Sequence, residues 1–195
     1  MGSQGSITKR LTDIILSVLS IVLTTPIFLL TAIAIKLDSK GPIFFLHERT
    51  GFRGKSFMML KFRGMIDNAL DYGPGITRIN DDRITRVGKI LRRTSIDELP
   101  QLINVLKGEM SIIGPRPEIT SITSNYNTLQ RQVFDFIPGI TGISQINGRQ
   151  LLTPEQRTEM EINYYKNETF IKDLKIFILT FWVIITNKGN TDHAN

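Results

Sequence analysis

Asp97 and Glu98 are adjacent carboxylates bracketed by cations. Arg92 and Arg93 come before them, and Arg116, on a Pro-Arg-Pro turn, comes after them, all within residues 92–118. A carboxylate can act as a nucleophile, as a base or as a ligand for a hard cation. Guanidinium groups close by can neutralise a phosphorylated substrate. A plainer reading competes. Ser95-x-x-Glu98 fits a capping box, and Asp97 in a first helical turn complements the helix dipole. That reading needs neither the Arg-Arg pair nor the Pro-Arg-Pro turn, so the stretch remains a candidate site for a phosphorylated substrate.

The acid pair needs a scaffold. Leu99, Leu102, Ile103 and Leu106 recur at helical spacing and predict one apolar face, while Asp97, Gln101 and Asn104 fall on another. Thr94 or Ser95 suits an N-cap and Gly108 a C-terminal stop. Pro100 is tolerated in a first turn, which places the start of the helix near residues 95–97.

With 195 residues the chain suffices for one modest domain. Net charge is +6 and the isoelectric point about 9.7, a balance that suits nucleic acid, anionic lipid headgroups or phosphorylated small molecules. The absence of cysteine excludes disulfides, thiol catalysis and Cys-based zinc sites. His47 and His193 are the only histidines, too few for a multi-histidine metal centre, and His47 reads as structural.

Residues 11–35 form an almost wholly apolar run behind Lys9 and Arg10. About 25 residues at 1.5 Å each can cross a bilayer core of about 30 Å. A spanning helix, a signal peptide ending at Ala32-x-Ala34 and a re-entrant hairpin all fit the run. Length favours the span. Thr24-Thr25-Pro26 near the middle favours the hairpin, because proline removes a backbone hydrogen bond and threonine hydroxyls can satisfy freed carbonyls in lipid. Lys9 and Arg10 on one flank are balanced by Lys36 and Lys40 on the other, so charge does not orient a span.

Further along, residues 43–46 and 56–62 predict a β-hairpin around the turn at 51–55. Its cations Arg49, Arg53, Lys55, Lys61 and Arg63 suit a headgroup-level surface, a wall of the phosphate site or an ordinary solvated face. Residues 65–80, with Gly73, Pro74 and Gly75, predict a short helix and a loop. An amphipathic helix follows over 81–93, then mixed helix over 119–135, a glycine-rich segment with a short strand over 138–149, and a charged helix over 153–166. That glycine-rich segment has neither a dinucleotide nor a P-loop signature. The strongly apolar part of 170–186 is too short to span and, with Trp182, predicts an interfacial or core helix. These elements make an α+β fold, mainly helical, with a small β-hairpin.

The motifs in order resemble the bacterial sugar transferase family, the monotopic phosphoglycosyl transferases. They are a proline-bearing N-terminal helix, Gly41-Pro42-Ile43-Phe44-Phe45, His47-x-Arg49-x-Gly51, Lys61-Phe62-Arg63, Ser95-x-Asp97-Glu98-Leu99-Pro100-Gln101, Asn104 through Ser111, Gly114-Pro115-Arg116-Pro117, and Pro138-Gly139-Ile140-Thr141-Gly142. The likeness covers nearly the whole chain from about Lys9, and the chain looks like a minimal, catalytic-domain-only member.

The resemblance implies a re-entrant first helix broken at Thr25-Pro26, where the family has Ser-Pro. It implies interfacial amphipathic helices around an active site on the cytoplasmic face of the bacterial inner membrane. Residues 1–8 then read as a remnant or disordered lead-in, 9–36 as the membrane helix, 37–187 as the catalytic domain and 188–195 as a loose tail.

The implied reaction moves a phosphosugar from a UDP-sugar to polyprenyl phosphate and releases UMP. In it Asp97 is the nucleophile and a ligand for Mg²⁺, and Glu98 is a base or a positioning group. Arg116, Arg92, Arg93, Lys61 and Arg63 are the phosphate contacts. The phospholipid membrane is an implied partner, nucleic acid is not, and a homo-oligomer is left open. Two other classes make different products: a glycosyl transferase releases UDP, and a basic lipid-binding protein releases no nucleotide.

Overall fold

The computed structural model describes residues 6–72, 81–148 and 151–186. The loop expected at Gly73, Pro74 and Gly75, Arg149 at the end of the glycine-rich segment, and the tail at 188–195 lie outside the described residues. Helix α1 runs over Ile7–Asp38 with Pro26 inside it. It starts two residues before the expected boundary, because the Ser6 side chain caps the amide of Thr8. Proline leaves the carbonyl of Val22 without its usual donor. Just before it, the hydroxyls of Thr24 and Thr25 bond back to Ser20 and Ile21 at 2.6 and 2.8 Å.

The hairpin forms around the expected turn, but its first strand runs four residues beyond the end predicted at 46. Strand β1, Phe44–Thr50, pairs antiparallel with β2, Ser56–Phe62, so that His47 faces Met59 and Arg49 faces Phe57. A second sheet joins β3, Ser111–Ile113, in parallel to β4, Gly139–Thr141. The connection between them carries two single-turn helices, α4 at Thr120–Thr123 and α5 at Thr128–Arg131. Another short helix, α6, covers Ile143–Ile146. The charged helix is α7, Pro154–Tyr165, with Thr153 and Gln156 closing a capping box. Helix α8 covers Phe170–Thr186. The short helix expected after Met65 is a single 3-10 turn, Ala69–Tyr72.

The main core gathers Phe57, Met59, Val105, Met110, Ile112 and Tyr165, placing the hairpin, the central helix and α7 around one centre. A second cluster, Ile35, Phe62 and Leu91, packs the far end of α1 against the hairpin and α2, Arg86–Thr94. Helix α2 begins five residues later than its apolar spacing suggests. Ile84 belongs to a bridge with Met65, and Thr85 caps the helix through the amide of Gly88.

Helices α1 and α8 break the usual pattern of burial. On α1 the buried residues include Asp13, Ser17 and Thr31, while Val22, Leu23, Leu29 and Leu30 are exposed. On α8, Ile171, Leu174, Ile178, Phe181, Trp182 and Ile185 form an exposed apolar stripe. Asp173, Ile176 and Val183 are the buried residues of that helix.

Helix α2 lies close against the chain after β2, since a methyl group on Gly88 would overlap the carbonyl of Gly64. Backbone contact of this kind leaves no side chain free to yield, so overpacking costs at least about 1–3 kcal/mol. Gly88→Ala is therefore expected to lower the melting temperature by roughly 2–4 °C per kcal/mol lost, as read by thermal unfolding in detergent. An unshifted melting curve would show that α2 is not docked this way.

Candidate active site

The acid pair is not in the first turn of a capped α-helix. Ser95 adopts a left-handed backbone, φ 57°, at the end of α2, and the chain then makes a 3-10 turn over Ile96–Glu98. Pro100 is the N-cap of the next helix, α3, Gln101–Lys107, which ends at Gly108 with φ 84° as expected of a C-terminal glycine. No side-chain capping bond comes from Ser95, so the capping-box explanation of Glu98 fails. A non-glycine residue in the left-handed region is strained, and here the strain sits directly before the two carboxylates.

Instead, Glu98 receives Lys61 at 2.8 Å and Arg116 at 3.4 Å. Lys61 also stands 3.8 Å from Asp97. The Asp97 side chain retains 14% of its exposure, and burial pushes its carboxyl up to about 6. Lys61, Arg92 and Arg116 oppose that shift, and the neighbouring charge of Glu98 adds to it.

Lys61 is delivered by a polar clamp that apolar periodicity hides. Helix α3 buries Gln101 and Asn104 along with Leu102 and Val105, so its supposed polar face is part of the interior. The Asn104 amide accepts from the backbone of Leu60 at 3.0 Å and donates to the carbonyl of Met58 at 2.9 Å. Those two bonds fix strand β2 beside α3, one residue from Lys61.

Arg116 is held from below. Its backbone N–H donates at 3.0 Å to Glu161 on α7, a side chain only 1% exposed. Ser144 donates to the same oxygen at 2.6 Å. Burial raises Glu161 to about 7 despite these bonds and the nearby Arg157. One turn earlier on α7, Arg157 pairs with Glu118, the residue closing the Pro-Arg-Pro turn. Arg49 approaches Glu118 at 3.9 Å and donates to the carbonyl of Pro117 at 3.3 Å. Arg49 also meets His47 Nδ1 at 3.2 Å; burial, then Arg49 and Lys61, push that imidazole down to about 4 and keep it neutral.

Of the cations expected to serve phosphate, Lys61 and Arg116 touch the acids and Arg92 lies close enough to act on Asp97. Arg93 is exposed on the outside of α2. Arg63 is buried and directs its guanidinium to Ser39 and the carbonyl of Lys40, so it ties down the chain leaving α1 instead of facing the acids. Sequence reasoning left Glu118, Arg157 and Glu161 unassigned. The only signal for the last two was their i, i+4 spacing on a helix read as merely charged.

Among the described residues no three His, Asp or Glu side chains gather as a preformed metal cage. Two adjacent carboxylates are nonetheless the donor set that suits Mg²⁺, which keeps several waters and shares its shell with substrate phosphates.

Fold and site together define a class: an enzyme with a carboxylate centre ringed by lysine and arginine, on a domain carrying one long apolar helix. The chain belongs to the bacterial sugar transferase family, which it matches over residues 4–187. It is 38% identical over 190 residues to the uncharacterized sugar transferase EpsL of Bacillus subtilis, covering 96% of this chain and 93% of that protein. It is 42% identical over 189 residues to a UDP-glucose:undecaprenyl-phosphate glucose-1-phosphate transferase of Klebsiella pneumoniae, covering 93% of this chain but 41% of that protein. A UDP-N-acetylgalactosamine-undecaprenyl-phosphate N-acetylgalactosaminephosphotransferase of Aeromonas hydrophila is 39% identical over 189 residues, covering 93% and 44%.

The raised carboxyl of Glu161 has a pH consequence. The folded chain keeps its proton up to about 7, whereas an unfolded glutamate releases it near 4.5. The folded state thus binds more protons between those values, and stability falls as pH rises through that window. Glu161→Gln keeps an acceptor oxygen for Arg116 and Ser144 but cannot ionise. Melting curves should show the variant gaining on the parent at about pH 8, with the gain shrinking towards about pH 5. A difference independent of pH would mean that Glu161 is not held protonated.

Proposed function

We propose that this enzyme transfers a phosphosugar from a UDP-sugar to polyprenyl phosphate, releasing UMP and leaving a polyprenyl-diphosphate-linked sugar. The observation that carries the reading is the largely buried acid pair with Lys61 and Arg116 on its carboxylates. The reaction classes printed for the Klebsiella and Aeromonas relatives support it.

In this mechanism a carboxylate oxygen of Asp97 attacks the sugar-side phosphorus and forms an acyl phosphate. The bond from that phosphorus to the bridging oxygen breaks, and its electron pair leaves with UMP. An oxygen of the lipid phosphate then attacks the same phosphorus and frees Asp97. Attack by one anion on another requires fixed positive charge, which Lys61, Arg116 and Arg92 provide without rearrangement. Glu98 holds Lys61 and Arg116 in place, and through those cations it would position the incoming lipid phosphate. Asp97 and Glu98 would hold Mg²⁺ together with the donor's diphosphate. That ion would add positive charge at the phosphate oxygens.

The tethering of α1 supports the proposed membrane arrangement. At its N-terminal end Lys9 pairs with Asp173 at 2.6 Å, Arg10 donates to the carbonyls of Val105 and Leu106, and Asp13 accepts from Ser111 and Ile112. At the other end Asp38 accepts from the amide of Val87 and Arg63 holds Ser39 and Lys40. Both ends are fastened to one catalytic domain, which supports a re-entrant helix entering and leaving the same face. Pro26 and the back-bonded Thr24 and Thr25 lie near the middle of α1, where the proposed bend would fall. Lys9 and Arg10 at one end and Lys36 and Lys40 at the other favour the cytoplasmic side for both. The exposed stripe of α8 suits the headgroup layer of the same leaflet. Among the described residues the strands form only two-stranded sheets, without the alternating βα units of a nucleotide-binding glycosyl transferase.

Two experiments test this. Purified enzyme with Mg²⁺, a short polyprenyl phosphate and a panel of UDP-sugars should release UMP with one or a few sugars, and Asp97→Asn should lower the rate by about 10³-fold or more. UDP as product, or a fully active Asp97→Asn variant, would overturn the assignment. For topology, the chain has no cysteine of its own. Thr8→Cys and Lys40→Cys should therefore both be labelled by an impermeant maleimide from the cytoplasmic side only, and labelling from opposite sides would mean a span.

A further inference from the structure

Arg49, Arg116 and Arg157 reach one place from three elements: the end of β1, the Pro-Arg-Pro turn and α7. The Arg49 and Arg157 side chains each retain only 15% of their exposure. They share one carboxylate, Glu118. Among the described residues the buried Nε of Arg49 and the buried Nε of Arg157 meet no acceptor. Burial, followed by the charge of Arg116, pushes Arg49 down to about 9 and pushes Arg157 down as well. Crowded, desolvated guanidiniums with spare N–H groups are short of an anion.

This cluster is offset from the nucleophile. The charges that act on Asp97 are Lys61, Glu98, Arg92 and Arg116, and neither Arg49 nor Arg157 is among them. Arg116 is the one cation in both sets, and the charge of Glu98 also reaches Arg49. Displacement at phosphorus places the attacking oxygen and the leaving oxygen roughly in line on opposite sides. A site built for it needs one set of cations at the attacked phosphate and another beyond it.

We propose that Arg49 and Arg157 form, with Arg116, the cradle for the nucleoside-side phosphate of the donor, the phosphate that departs as UMP; this rests on the phosphosugar-transfer reading above. Lys61 and Arg92 serve the phosphate that Asp97 attacks, and Arg116 bridges the two. When the bridging bond breaks, its electron pair stays on the bridging oxygen. The monophosphate gains one negative charge, which the cradle takes up without a proton. The side-on edge of a guanidinium, Nε with one Nη, matches two phosphate oxygens in a way an ammonium does not. Glu118 holds both arginines until the phosphate arrives, and so competes with it.

The test uses full-length Asp97→Asn protein in detergent, with UMP and uridine as probes and calorimetry as readout. Arg49→Lys and Arg157→Lys should each weaken UMP by about tenfold or more while uridine binding holds. Lys55→Ala, which removes an exposed hairpin cation, should change neither. Glu118→Gln should bind UMP more tightly, because the competing carboxylate is gone. This opposite sign is one that a purely structural clamp would not produce, and it stands even if an arginine variant fails to fold. Unchanged UMP affinity in both lysine variants, or weaker UMP binding in Glu118→Gln, overturns the cradle. In either case UMP release by the parent enzyme would leave the reaction assignment standing. If the parent neither binds nor releases UMP, the reaction assignment itself fails and takes the cradle with it.

Discussion

Two neighbouring carboxylates held mostly out of water set the terms for everything around them. An uncompensated buried carboxylate costs on the order of several kcal/mol, and two side by side repel each other as well. Lys61 and Arg116 on Glu98, and Lys61 close to Asp97, are the compensation. The rest of the domain places those two cations. Asn104 locks the hairpin that carries Lys61, while Glu161 holds the turn that carries Arg116. Ser95 in its left-handed conformation swings the acids out of line with α2 to meet them. In the proposed reaction, the same arrangement that makes the acid pair tolerable would surround the attacked phosphate with fixed positive charge. Structural compensation and the proposed catalytic preorganisation would then be one set of contacts.

The proposed lipid acceptor imposes the second constraint. A helix that buries Asp13, Ser17 and Thr31 and exposes its leucines is inverted relative to a helix on a water-soluble surface. The inversion makes sense if the outer face meets hydrocarbon and the inner contacts are polar bonds to the catalytic domain. Arg10 on the last carbonyls of α3 and Asp13 on the start of β3 anchor α1 to the elements on either side of the loop at 108–110. The membrane element is therefore rigidly related to the active site, which suits a substrate whose phosphate sits at the lipid surface.

Much of this was legible in the sequence, for identifiable reasons. The acid pair stood out because Arg92, Arg93 and Arg116 had no part in a simple helix start. The hairpin, α7 and α8 followed from turn residues, Thr153-Pro154 and a strongly apolar stretch behind Lys172, Asp173 and Lys175. What escaped were residues whose partners are remote in sequence. Asn104 fell on the helix face away from the leucines, and periodicity cannot register a buried amide bonded to a strand 44 residues away. Arg63 sat in a row of cations and could not be distinguished from Lys61 until Ser39 and Lys40 were seen to occupy it. The start of α3 was misplaced by several residues because a 3-10 turn and Pro100 imitate a first helical turn.

The proposed role of the acid pair rests most directly on one bond, the acyl phosphate at Asp97. Intact-mass measurement of the enzyme, mixed with the UDP-sugar it uses but no lipid acceptor, would look for that bond. The expected result is a mass increase of one phosphosugar, one equivalent of UMP, and loss of the adduct on adding polyprenyl phosphate. Peptide mapping should place the adduct on Asp97. UMP appearing only when the lipid is present, with no adduct at any time, would mean direct transfer between substrates and would contradict the account.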